Sequence, residues 1–246
     1  MTGTKPRVAI FRPRGRREDE SVELLRSSGF EVLSDPLLEP RPTDEQPLGD
    51  ADFVVFTSVT GARIALEGSY EPRGETVCAI GPKTRSALEE GGVEVDVVPE
   101  EYSSEGLVEA LKDEVRGKKV EVARSDHGSS ELIDGLNESG AFVHETVLYE
   151  LVRPEGGGEE AVEGILKGRV DGVLFTSSLT VENLLSAAGE GRSDVVEKLC
   201  SVVVGAIGEP TRETAVSCGV DVDFTAESET FESLVEGLER ELETED

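Results

Sequence analysis

The sequence predicts an α/β protein made of two similar domains with mainly parallel sheets, one inserted into the other. Three observations predict it. Apolar runs of four to six residues alternate with helical patterns along the chain, as in βαβ units. A stretch of thirty-three residues recurs without a gap, Ala79–Leu111 against Ala206–Leu238, identical at fifteen positions and at a constant offset of 127. Two weakly structured joints, Pro36–Pro47 with four prolines and Glu145–Gly158 with Pro154 and a triple glycine, fall inside the repeated units rather than between them.

In chain order, strands are expected at Arg7–Phe11, Glu31–Leu33, Phe53–Phe56, Val77–Ile80, Val93–Val97, Lys119–Ala123, Phe142–Val147, Gly172–Phe175, Val202–Ala206 and Val220–Phe224. Ten short strands require two sheets. Helices are expected after most of them, among them Ser21–Ser28, Gly61–Gly68, Thr84–Glu90, Ser104–Val115, Ser129–Ser139 and Phe231–Glu243. Gly29, Gly68, Gly91 and Gly140 are placed to end helices in the left-handed conformation.

The repeat has three parts. The first pairs Val8–Arg12 with Val120–Arg124, each an apolar strand ending in arginine and followed by a helix, a Ser-Gly and another strand. The second is Phe-Thr-Ser at 56–58 and 175–177; the third carries Ile-Gly-x-x-Thr at 80–84 and 207–211. Because the joints follow the first part of each copy, the domains interleave. One comprises residues 1–37 and 153–246, the inserted one 48–144, with linkers at 38–47 and 145–152.

Charge and composition exclude several classes. With 53 Asp and Glu against 24 Lys and Arg, the net charge of −29 repels nucleic acid and anionic membranes. Such acidity, with only seven lysines, fits adaptation to high internal salt, where self-repulsion is screened within about 3 Å at 1 M. No apolar window is long enough to span a bilayer, and the polar N-terminus suggests a soluble, cytoplasmic protein. Cys78, Cys200 and Cys218 are scattered and form no CxxC, so neither a zinc site nor a disulfide framework is expected. His127 and His144 read as surface or loop residues, and no Ser/His/Asp or Cys/His constellation can be assembled.

Candidate site residues lie at predicted strand ends, the edge where open α/β sheets bind ligands. Ser58 and Ser177 cap their own helices and could in addition present a hydroxyl beside N–H groups that attract anions. Gly81 and Gly208 permit close backbone approach, and Thr84 and Thr211 open the following helices. Neither a GxxxxGK[ST] nor a GxGxxG with a ribose-binding acid is present, so no nucleotide is expected. Arg12, with Arg14, Arg16 and Arg17, forms the densest positive cluster; Glu18, Asp19 and Glu20 could neutralise it, or a carboxylate-rich ligand could, with Arg124 as its counterpart. Tyr149 could pack a hinge as an aromatic, or donate its phenolic proton to a departing hydroxyl.

Taken in order, Val-x-Ile-x-Arg-Pro at 8–13, two Phe-Thr-Ser strands, two Ile-Gly-x-x-Thr turns and an interdomain strand ending in Tyr149 resemble the uroporphyrinogen-III synthase family over almost the whole chain. The resemblance implies two flavodoxin-like domains joined by a two-stranded linker. It implies a hydro-lyase that converts hydroxymethylbilane, which carries eight carboxylates, into uroporphyrinogen III in haem, sirohaem and cobalamin biosynthesis. In that chemistry a pyrrole nitrogen expels the hydroxyl as water, leaving an azafulvene. The substituted carbon of ring D attacks, and the resulting spiro intermediate fragments and recloses with ring D inverted; uncatalysed closure gives the uninverted isomer. Orientation of the substrate is then the main task, worth on the order of 7–11 kcal/mol. The resemblance assigns the proton donor to Tyr149 and the substrate contacts to Arg12, Ser58, Gly81, Thr84, Arg124, Ser177, Gly208 and Thr211. It calls for no metal, flavin or nucleotide, and implies a monomer that receives substrate from hydroxymethylbilane synthase. A two-domain small-molecule sensor without catalysis is the competing reading.

Overall fold

A computed structural model describes residues 5–243. The chain divides into two compact units, residues 1–39 with 152–246 and residues 40–151. Each contains one five-stranded sheet.

In the first unit the sheet comprises β1 (Arg7–Ile10), β2 (Glu31–Ser34), β8 (Gly172–Phe175), β9 (Val203–Ala206) and β10 (Phe224–Thr225), in the order β10-β9-β8-β1-β2. All pairings are parallel, and Ile10 lies opposite both Ser34 and Leu174 while Phe175 lies opposite Ala206. The carboxyl ends of β1, β8 and β9 are therefore level and adjacent. Helices α1 (Arg16–Ser27), α6 (Glu159–Leu166), α7 (Ser178–Ala187), α8 (Arg192–Leu199), α9 (Glu209–Ser217) and α10 (Phe231–Glu243) surround this sheet. Burial on both faces explains why its strands are unbroken apolar runs rather than alternating ones: Ala9, Phe11, Val173 and Phe175 pack in one cluster, and Val8, Ile10 and Leu174 in another with Leu234 and Leu238 of α10.

The second unit repeats the plan with β3 (Glu39–Pro42), β4 (Phe53–Phe56), β5 (Thr76–Ala79), β6 (Lys119–Ser125) and β7 (Phe142–Val152), ordered β3-β7-β6-β4-β5. Its helices are α2 (Val59–Glu67), α3 (Pro82–Glu90), α4 (Ser104–Leu111) and α5 (Ser130–Glu138). Phe56 lies opposite both Ala79 and Ala123, so β4, β5 and β6 also end together. The segment 145–152, expected as a linker, lies within β7, and its residues up to Tyr149 pair with β6.

Four local differences from the sequence expectations have physical causes. Val93–Val97 forms only an isolated bridge between Val97 and Cys78, because the Asp96 carboxylate takes the Val77 N–H at 2.8 Å where a strand carbonyl would sit. Asp223, its counterpart in the repeat, takes the Val204 N–H at 2.7 Å, and the strand expected at Val220–Phe224 shrinks to Phe224–Thr225. Glu39–Pro42, read as an irregular joint, is a strand at the edge of its sheet, where Pro40 and Pro42 can be tolerated although they donate nothing. Gly29 and Gly140 do adopt positive φ, but α2 and α3 pass Gly68 and Gly91 in ordinary conformations and turn one residue later, at Ser69 and Gly92.

One long-range contact anchors the first unit. Asp35, immediately after β2 and 8% exposed, accepts the Gly158 and Ala161 N–H groups at 2.9 and 2.8 Å. It thereby caps α6 from 123 residues away, supplying the acceptor that the helix's own cap residue, Gly158, lacks.

Candidate active site

Each unit gathers its share of the predicted residues on neighbouring strand ends. In the second unit Ser58 follows β4, Gly81 follows β5, Arg124 lies at the end of β6 and Tyr149 on β7. Ser58 caps α2 by accepting the Gly61 N–H at 2.9 Å, and its Oγ lies 3.1 Å from the Tyr149 hydroxyl. A β-bulge makes this possible. The register of β6 and β7 shifts between Arg124 and Ser125, so that Arg124 faces Val147 but Ser125 faces Tyr149. The extra residue lets the consecutive Leu148 and Tyr149 pack in the same apolar cluster, as alternation in a regular strand would forbid. Tyr149 is 7% exposed and fixed by that packing.

Arg124 is also 7% exposed, and its charge is matched inside the unit. Its Nε donates to Glu145 at 2.6 Å and its Nη1 to the Ser129 carbonyl at the start of α5. Thr84 is buried on α3, and Gly81 precedes that helix with the side chain of exposed Tyr102 laid against it.

The first unit presents the same frame with different partners. Arg12 follows β1, Ser177 follows β8, Gly208 follows β9, and Thr211 is buried on α9. Stacking of Phe11 on Phe175, with centroids 5.5 Å apart, fixes the strand ends that carry Arg12 and Ser177. Ser177 does not cap α7; its Oγ is buried with no hydrogen-bond partner among the described residues. Arg12 forms no ion pair among the described residues, and its guanidinium lies 4.5 Å from the centre of the Phe231 ring. Burial lowers its pKa, as does the neighbouring charge of Arg17, against the opposing pull of Glu232 and Glu20. Of the cluster expected around it, Arg17 stays near enough to oppose its charge, whereas Arg16 belongs to α1 and pairs with Glu20, and Glu18 accepts from Ser34.

Sequence reasoning missed Phe231, Tyr102 and Glu229. The offset of 127 that defines the repeat places Tyr102 and Glu229 at equivalent positions, and each packs on its Ile-Gly glycine, Gly81 or Gly208. The same offset sets Phe231 against Ser104. The signal lay in the positions where the copies differ. Among the described residues there is no cluster of three or more His, Cys, Asp or Glu suited to a metal, and no helix long and apolar enough to cross a membrane.

The fold and these edges define a two-unit α/β protein in which serine hydroxyls, arginine side chains and glycine backbone gather at the carboxyl ends of parallel strands, the edge at which open α/β sheets bind ligands. Residues 19–236 match the family model described as uroporphyrinogen-III synthase HemD. A Methanothermobacter thermautotrophicus protein provisionally named uroporphyrinogen-III synthase is 35% identical, covering 94% of this chain and 96% of its own. The uroporphyrinogen-III synthase of Synechococcus elongatus is 28% identical, covering 88% of each chain. The fold is shared with a uroporphyrinogen III synthase of Thermus thermophilus (TM-score 0.61, 21% identity, covering 97% of this chain and 99% of that one) and with that of Helicobacter pylori (TM-score 0.62, 17% identity, covering 97% and 100%). The chain belongs to the uroporphyrinogen-III synthase family, cyclising lyases of tetrapyrrole biosynthesis. This membership sets aside the non-catalytic sensor.

Proposed function

We propose that the two strand-end edges carry the family's reaction, the closure of hydroxymethylbilane to uroporphyrinogen III, with Tyr149 as proton donor to the departing hydroxyl. The observation that supports this most is the Ser58–Tyr149 contact of 3.1 Å. Ser58 accepts one hydrogen, from Gly61, and has one to give. Given to the Tyr149 oxygen, it leaves the phenolic proton free for the substrate. The proton moves from Tyr149 to the hydroxyl as the pyrrole nitrogen expels it, so water leaves as a neutral molecule and the phenolate is held by Ser58.

The remaining residues orient. Arg12, Ser177, Gly208 and Thr211 of one edge and Ser58, Gly81, Thr84 and Arg124 of the other are proposed to contact the substrate. Helix N-termini and a guanidinium without an acidic partner suit its carboxylates. Arg124, already matched by Glu145, contributes chiefly by fixing the bulge that carries Tyr149. The chain is proposed to act as a cytoplasmic monomer at high salt, taking substrate from hydroxymethylbilane synthase, because a charge of −29 repels an octa-anion in dilute buffer. The test is the isomer made from hydroxymethylbilane generated in situ at high salt: predominantly type III supports the proposal, and type I alone overturns it.

A further inference from the structure

The duplication makes Arg12 and Arg124 equivalent, yet their charges are handled in opposite ways. Arg124 is neutralised by Glu145 at 2.6 Å. Arg12 has no such partner among the described residues; Glu20 and Glu232 attract it without forming an ion pair, and Arg17 opposes its charge. What it has instead is a ring, 4.5 Å away. The repeat puts Ser104 where the first unit has Phe231, so the aromatic occurs only in the copy whose arginine lacks an acid.

Phe231 is suited to holding another group still. It is 6% exposed and packs with Val8, Ile10, Leu234 and Val235 at the start of α10. A guanidinium stacked on a ring keeps its in-plane N–H donors free, whereas Arg124 has already given Nε to Glu145 and Nη1 to the Ser129 carbonyl. Beside it, the adjacent strand end carries Ser177, whose buried Oγ also lacks a partner. Both unsatisfied groups thus belong to one edge.

We infer that Phe231 is a positioning residue for Arg12, holding the guanidinium by its face so that its edge stays available to a substrate carboxylate. The inference rests on the reading of Arg12 as a substrate ligand. It assigns an anionic side chain of the bilane to Arg12 at the edge of the first unit, while the charge of Arg124 in the second unit is already matched by Glu145.

The experiment measures KM and kcat for type III formation at high salt in Phe231→Leu, Phe231→Tyr, Arg12→Gln and the double variant Arg12→Gln/Phe231→Leu. Phe231→Leu keeps apolar bulk and removes the ring face; it is expected to raise KM roughly three- to tenfold with kcat within about twofold of the parent. Phe231→Tyr restores the parental KM, a rescue that a purely packing role would not require. In the Arg12→Gln background, Phe231→Leu has no further effect. If Arg12→Gln leaves KM unchanged, the reading of Arg12 as a ligand falls and the inference with it. If Arg12→Gln raises KM but Phe231→Leu does not, or adds its own penalty in the double variant, the inference alone falls. Should Phe231→Leu fail to fold, Phe231→Met is judged by the same criteria.

Discussion

Replacing Tyr149 by Phe separates catalysis from packing. The ring is fixed in an apolar cluster and a phenylalanine fills the same space, so only the hydroxyl and its 3.1 Å contact with Ser58 are lost. Ser58 keeps its bond from Gly61 and remains a helix cap. Losing one neutral hydrogen bond costs about 1 kcal/mol. In a chain of this length that lowers the melting temperature by roughly 2–4 °C. A general acid, by contrast, is worth about 10²–10⁴-fold in rate. A kcat for type III formation reduced by about 10² or more is therefore expected, in a protein whose thermal midpoint moves only a few degrees. Single-turnover consumption of freshly generated hydroxymethylbilane, followed beside a thermal melt, reads both quantities. A kcat within a factor of about two of the parent refutes the assignment of the proton to Tyr149.

Three other predictions concern stability and reactivity. Asp35→Ala removes two charge-assisted bonds to backbone N–H groups, about 3 kcal/mol in total, and should lower the melting temperature of the first unit by roughly 6–12 °C; a shift under about 2 °C would contradict the capping role. Burial pushes the Cys78 thiol from its ordinary 9.0 up to about 12, so the fold keeps the proton that the unfolded chain releases. Stability from this group is complete below pH 9 and is lost as pH rises toward 12; Cys78→Val should flatten the fall in melting temperature over that range, and thiol reagents should label exposed Cys200 long before Cys78. The charge of −29 predicts that raising KCl from 0.1 M to 1 M, which shortens the screening length from about 10 to 3 Å, raises both the melting temperature and the rate; indifference to salt would contradict it.

The architecture was legible because the copies preserve what places a strand end. Phe-Thr-Ser and Ile-Gly-x-x-Thr occur twice, and the structure sets each pair on adjacent parallel strands with the arginine strand beside them. The differences between the copies were not legible as function. Ser58 and Ser177 look identical in sequence, yet among the described residues only Ser58 meets a tyrosine, which the bulge in the pairing of β6 with β7 carries to it; the strand pairs described in the first unit have no such register shift. Arg12 and Arg124 likewise look interchangeable until Phe231 and Glu145 are seen beside them. Pro40 and Pro42 disguised an edge strand as a joint, and Asp96 and Asp223 disguised loops as strands, since a side-chain carboxylate can stand in for a backbone acceptor.

The central claim is that this chain steers ring closure rather than merely binding the substrate. Its most direct measurement is the ratio of type III to type I porphyrin after hydroxymethylbilane is generated in situ at high salt, exposed to the protein, oxidised and chromatographed, beside a heat-denatured control. Type III is expected with the folded protein and type I with the control; the same type I product in both would contradict steered closure.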